Sequence, residues 1–140
     1  YKQLVRLNDL EDKVDFYGFV NHSEIPSILQ DFDIFVALSR SESFGVSILE
    51  ASACGLPVVV SDADGLAEVV DNNVTGIVVP KDDELSAAEV IAELIVDAEK
   101  RKLIGQLGRK HVEKNYSWER SLDIMIKAYN EVIFRNIHGN

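Results

Sequence analysis

The sequence predicts an α/β fold, a Rossmann-like doubly wound parallel sheet closed by a helical C-terminal tail. Short runs rich in Val, Ile and Phe, bounded by Gly, Pro, Asn, Asp or Ser, alternate with stretches long enough for short helices. Those runs are almost continuously apolar, as parallel strands covered on both faces require. After Pro80 strands give out, and apolar residues recur at every third or fourth position.

In chain order, Tyr1 to Leu7 reads as the end of a helix, so a further part of the domain is expected upstream. Val14 to Val20 is the first predicted strand. Ser23 is a predicted N-cap for a helix over Glu24 to Gln30. Ile34 to Leu38 is the second strand, and a helix over Gly45 to Cys54 follows, stopped by Gly55 and Pro57. Pro57 to Ser61 and Gly76 to Val79 complete a thin, four-stranded sheet. In the tail, Leu85, Ala88, Ala92 and Ile95 mark one apolar helix face. Leu122, Met125, Ile126, Tyr129 and Ile133 mark another, on a last helix from Trp118 to Phe134. Ser117 is its predicted N-cap, with Tyr116 and Trp118 as hydrophobic anchors.

Composition narrows the function. The chain has 140 residues, enough for one domain, and 46% of them are hydrophobic, enough for a core. A net charge of −10 argues against a nucleic-acid partner, which would be met by a basic stripe. The apolar runs fall far short of the roughly 20 residues that span a bilayer, and the first residues do not resemble a signal peptide. A cytoplasmic protein is expected, with membrane contact undetermined. Cys54, the single cysteine, can form neither an internal disulfide nor a thiolate cluster and is expected to be a small buried helix residue.

The stretch from Ser39 to Pro57 carries the chemistry. It follows a strand and opens a helix, where doubly wound sheets bind ligands. The amides of Phe44, Gly45 and Val46 at the helix start lack intrahelical partners and stand at the positive end of its dipole, a site suited to phosphate. Glu50 lies one and a half turns on, leaning back toward that end, and a carboxylate accepts the paired hydrogen bonds of a ribose diol. Glu42, in the preceding loop, is placed to accept from hydroxyls of a second sugar. Two carboxylates around a phosphate site describe a nucleotide-sugar, although a solvated Glu42 and a surface Glu50 paired with a base fit the spacing too. Arg40 is a further candidate for the diphosphate. His22, His111 and His138 are widely separated and suit packing or exposure. Their wide separation gives no metal site of recognisable spacing.

The run Glu42-Ser-Phe-Gly-x-x-x-x-Glu50-Ala-x-x-x-Gly-x-Pro-Val-Val resembles the signature of the retaining group 1 (family four) glycosyltransferases, which share the GT-B fold. Asp64-Gly-Leu-Ala-Glu-Val-Val70 resembles the family's Gly-Gly-x-x-Glu-Val-Val loop, with Asp64 in place of the first glycine. Leu7 to Val20 resembles the family's lead into a strand and Gly turn, Thr75-Gly-Ile-Val-Val-Pro80 its next strand, and Tyr116-Ser-Trp-Glu119 its Phe-Ser-Trp-Glu. Leu38 replaces a frequent Pro.

The resemblance implies that residues 1–140 are most of the C-terminal, nucleotide-sugar-binding domain, without its beginning and without the acceptor domain. It implies that Glu42 is catalytic and binds donor-sugar hydroxyls, that Glu50 binds the ribose, and that the Phe44, Gly45 and Val46 amides hold the diphosphate. Gly65 and Glu68 belong to a loop approaching the donor, with Glu68 alternatively capping the following helical turn. Gly18, Phe19, Val20 and Asn21 are implied to hold the nucleobase, largely through backbone groups. UDP-sugars are the commonest donors of such enzymes, used in glycan or glycolipid biosynthesis without cofactor or catalytic metal. The family's Gly-Arg-x-x-x-x-Lys-Gly segment would lie upstream of Tyr1, so the chain alone is expected to be inactive. The last helix is expected to cross toward the acceptor domain or a partner chain and, uncovered, to favour self-association. A non-catalytic binding module and a GT-B epimerase remain alternatives. A dinucleotide oxidoreductase is disfavoured, since no Gly-x-Gly-x-x-Gly follows a strand.

Overall fold

The computed structural model describes residues 1–138, apart from the side chains of Asp64, Ala67 and residues 136–138. Its sheet has three parallel strands, β1 (Phe35–Ala37), β2 (Val58–Ser61) and β3 (Ile77–Val79), in that order. Phe35 lies opposite Val58, and Val59 opposite Ile77. Helices α1 (Lys2–Leu7) and α2 (Ile25–Leu29) precede the sheet, and α2 is entered through a 3-10 turn over His22–Glu24. Crossover helices α3 (Val46–Ala53) and α4 (Asp64–Val69) join the strands, and α5 (Glu84–Val96), α6 (Ala98–Asn115) and α7 (Trp118–His138) complete the chain.

The sheet is covered on both faces, because alternate side chains of a strand point opposite ways. Val58 and Val60 pack with Ile48 and Ala51 of α3 and Leu66 and Val69 of α4. Val59 points the other way, to Ile77, Val79, Ala87, Leu94 and Ile104. That is the expected α/β arrangement.

Four local expectations are corrected. Val14 to Val20 is not a strand. It joins no ladder among the described residues, and Phe16, Tyr17 and Phe19 are 48, 61 and 91% exposed. A strand persists only when its backbone is paired and one face is buried, and this segment has neither support. Ser23 does not cap the helix over Glu24 to Gln30: it lies inside a 3-10 turn whose N-cap is Asn21, and that turn runs into α2, whose own N-cap position, Glu24, makes no side-chain cap. Glu24 accepts from the Asn21 backbone N–H at 3.3 Å while its own N–H donates to the Asn21 carbonyl at 2.9 Å. The chain thus turns earlier than expected, and Pro26 falls in the first turn of α2, where its missing N–H costs nothing.

On α5 the face Leu85, Ala88, Ala92 and Ile95 is solvent-exposed, and Ala87 and Leu94 are buried, with Val90 and Ile91 packed beside them. Both faces recur at helical spacing. The smaller Ala87 lets the helix approach β2 and β3. Trp118 is 73% exposed and anchors nothing, whereas Tyr116 is half-buried against the α3 side of the core.

Other expectations hold. Ser117 caps α7, its Oγ accepting from the Arg120 N–H at 3.2 Å. Leu122, Met125, Ile126, Tyr129 and Ile133 of α7 are all exposed. Cys54 is free, but it is half-buried at the C-cap of α3 rather than a buried residue of the helix. The side chain of His138 lies outside the described residues, although the helix continues through that position, past Phe134. No helix among the described residues is long and apolar enough to cross a membrane.

Candidate functional site

Gly45 is the hinge between the loop after β1 and α3. It is the N-cap of α3 and adopts a left-handed conformation, φ 77° and ψ 45°, which only glycine takes at low cost. The first bond of the helix runs from the Ile48 N–H to the Gly45 carbonyl at 3.0 Å. The amides of Phe44, Gly45 and Val46 precede that ladder, at the positive end of the helix. Phe44 and Val46 are exposed and Gly45 is buried.

The loop carrying Glu42 is held by α4. The Gly65 N–H donates to the Glu42 carbonyl at 3.1 Å. A Cβ on Gly65 would lie 2.5 Å from the Ser43 carbonyl carbon and oxygen, so only glycine allows the two backbones to approach this closely. Gly45 faces the same helix, with Leu66 and Val69 beside it. Glu42, Gly45 and Gly65 are therefore brought together by one contact between α4 and the loop. Glu42 itself is half-buried and turned back on its neighbour, accepting from the Ser43 N–H at 2.9 Å.

Glu50, half-buried on α3, faces the 3-10 turn. His22 Nδ1 lies 3.4 Å from its Oε1. Asn21 caps that turn, so Gly18 to Asn21 lead directly to the Glu50 side of α3. Gly18 has φ 70°, as a tight turn requires, and Gly18, Phe19 and Asn21 are exposed, with Val20 half-buried.

Two other residues behave differently from expectation. Arg40 turns away from the helix start and pairs with Asp82, Nε to Oδ1 at 2.7 Å. The hydrogen bond and charge of Asp82 hold the Arg40 guanidinium above its ordinary range. Glu68 is exposed within the last turns of α4 and caps no later helix, because the chain leaves α4 in an extended conformation at Val70.

A cleft of about 710 Å³ opens at the carboxyl ends of all three strands, lined by Leu38 to Ser41, Ser61 and Pro80 to Glu84, with Tyr1 at its edge. Its position suits a doubly wound sheet, yet Arg40 is the only candidate residue on its wall. The cluster formed by Glu42, Gly45 and Gly65 lies outside that lining.

Three partners were not legible in the sequence. His22 meets Glu50 from a distant segment, and Asp82 claims Arg40. Tyr116 stacks edge-on against Phe44, ring centres 6.1 Å apart, and its other neighbour is the His111 ring at 5.8 Å. His111 Nδ1 lies 3.5 Å from Asp71 Oδ2, so the packed role expected of it holds. Among the described residues no three His, Cys, Asp or Glu side chains converge as metal ligands would.

The family model for group 1 glycosyl transferases matches residues 1–111. The chain belongs to that family. A D-inositol 3-phosphate glycosyltransferase of Salinispora tropica is 31% identical over 124 residues, covering 89% of this chain and 26% of the relative. A GDP-mannose-dependent phosphatidylinositol monomannoside mannosyltransferase of Corynebacterium glutamicum is 35% identical over 118 residues, covering 79% of this chain and 31% of the relative. The chain thus spans about a third or less of these glycosyltransferases. Among solved structures, sucrose-phosphate synthase of Thermosynechococcus elongatus superposes with a TM-score of 0.88 at 30% identity, over 94% of this chain and 33% of that one. Anabaena HepE in complex with UDP superposes with a TM-score of 0.88 at 26% identity, over 93% and 35%. This group 1 chain therefore has the α/β architecture of GT-B glycosyltransferases, with a helical C-terminal region.

Proposed function

We propose that the chain is the C-terminal, donor-binding part of a retaining glycosyltransferase and takes a UDP-sugar, for use in glycan or glycolipid synthesis. The observation that carries this reading is the helix start at Gly45. The amides of Phe44, Gly45 and Val46 precede the helix ladder there, Glu42 lies in the loop before the start, and Glu50 lies further along the helix. In this reading the Phe44, Gly45 and Val46 amides receive the diphosphate, Glu50 the ribose diol, and Glu42 hydroxyls of the transferred sugar. Gly65 holds the Glu42 loop, and Gly18 to Asn21 offer backbone groups to the base.

The chemistry breaks the bond between the anomeric carbon and the diphosphate and forms one to an acceptor oxygen. Negative charge grows on the departing diphosphate, where preorganised amides and a helix dipole stabilise it without reorganising. Arg40 is committed to Asp82, so the chain itself brings little cationic charge to that point. The remaining cations and the acceptor site are assigned to a further segment or partner chain, and these residues alone are expected to bind but not to transfer. UDP is favoured by the UDP complex of HepE, while the GDP-mannose dependence of the corynebacterial relative makes GDP the competing base.

Titration of the chain with UDP, GDP and ADP, followed by calorimetry or NMR, tests the reading. UDP should bind most tightly, and Glu50→Ala should weaken it by about 1–2 kcal/mol, the cost of lost charge-assisted hydrogen bonds. Unaltered affinity in Glu50→Ala would remove the ribose assignment.

A further inference from the structure

Glu50 has a neighbour that its own helix does not supply. His22 opens the 3-10 turn after Asn21, and its Nδ1 stands 3.4 Å from Glu50 Oε1. The two meet because the turn runs into α2, which packs against α3. The His22 side chain is 86% exposed and that of Glu50 27%, so the imidazole fills no core position and stands at the open side of the carboxylate.

We propose that His22 is a positioning residue for nucleotide recognition, engaging Oε1 of Glu50 so that Oε2 is held ready for the ribose hydroxyls. The inference rests on the reading of Glu50 as the ribose acceptor. A carboxylate offers about four lone-pair positions, so one contact with an imidazole leaves room for a diol. A glutamate held before the ligand arrives loses less side-chain freedom on binding. The contact is long for a hydrogen bond and within ion-pair range, so its strength depends on the charge of the ring. A cation here also offsets the −10 charge of the chain beside an anionic ligand.

The turn carries His22 and Glu24, α2 has no titratable side chain, and α3 has Glu50 alone. Glu24 is directed to the cap, its Oε2 accepting from the Asn21 backbone N–H at 3.3 Å and from Asn21 Nδ2 at 3.0 Å.

The test is the ratio of Kd values for 2′-deoxy-UDP and UDP on the chain, in which protonation of the diphosphate cancels. Near neutral pH the ratio should be about tenfold, as a charge-assisted contact to the ribose 2′-hydroxyl requires. His22→Gln should lower the ratio severalfold, and His22→Lys, which keeps a cation at the same place, should retain it. Glu50→Gln should bring the ratio close to one. If Glu50→Gln removes the discrimination while His22→Gln retains the ratio, the positioning role is overturned and the ribose reading survives. If Glu50→Gln keeps the ratio, or no nucleotide binds, both fall. Circular dichroism of His22→Gln confirms the fold, which this exposed side chain does not support.

Discussion

Gly65 shows how much of the candidate site depends on single atoms. Its N–H reaches the Glu42 carbonyl, and a methyl group in place of its α-hydrogen would press into the Ser43 backbone at 2.5 Å. The obstruction is main chain, so it cannot swing aside as a long side chain can. Gly65→Ala should destabilise the chain by about 1–3 kcal/mol, as overpacking does, with urea unfolding as the measure. The same substitution should shift the NMR signals of Glu42 and Ser43 more than those of distant α5. The sequence marks Gly65 through its loop motif, but the atoms it must avoid lie in another motif and appear only in three dimensions. His22 is the opposite case. No local pattern distinguishes it from any other loop histidine, and its significance comes entirely from facing Glu50.

At the scale of elements, caps were partly legible because they are local chemistry. Ser117 caps α7 as its own neighbourhood predicts, whereas Asn21 rather than Ser23 starts the 3-10 turn that leads into α2, since both are good cap residues and only the path of the chain chooses between them. Asp83 caps α5, accepting from the Ser86 N–H at 3.0 Å and the Ser86 hydroxyl at 2.6 Å. Those hydrogen bonds hold its carboxyl below the ordinary value of 3.8. The folded chain therefore takes up this proton less readily than the unfolded one. Its contribution is complete above the ordinary carboxylate range and is lost as pH falls through the folded-state value. Asp83→Asn, which can still cap, should leave stability near neutral pH close to that of the wild type and flatten its decline in acid. Melting temperatures measured from neutral pH down to about pH 3 would check this, the lower limit lying below the ordinary carboxylate range.

Across the whole molecule, stability is distributed unevenly. Ile48 and Leu94 are fully buried on opposite faces of the sheet, while α7 forms none of the substantial helix or strand contacts that tie α3, α5 and α6 to the sheet and to each other. Leu94→Ala should cost about 2–5 kcal/mol, the usual range for a truncated core leucine. Ile126→Glu on α7, 54% exposed, should change stability by no more than about 0.5 kcal/mol, as surface substitutions do. Denaturant midpoints of the two variants measure the contrast, and hydrogen exchange should find α7 opening well before β2.

The sequence by itself determined the family motif, the three strands and the helix that starts at Gly45, because each follows from residue chemistry within a few positions. It also showed that α7 has an apolar face. Tertiary structure decided what depends on distant partners. Val14 to Val20 has strand-forming residues but no ladder to join. The two apolar rows of α5 have the same period, and only contact with β2 and β3 selects Ala87 and Leu94. Arg40 follows the charge of Asp82, and His22 reaches Glu50, because pairing of charges is set by distance in space, which spacing along a chain does not contain.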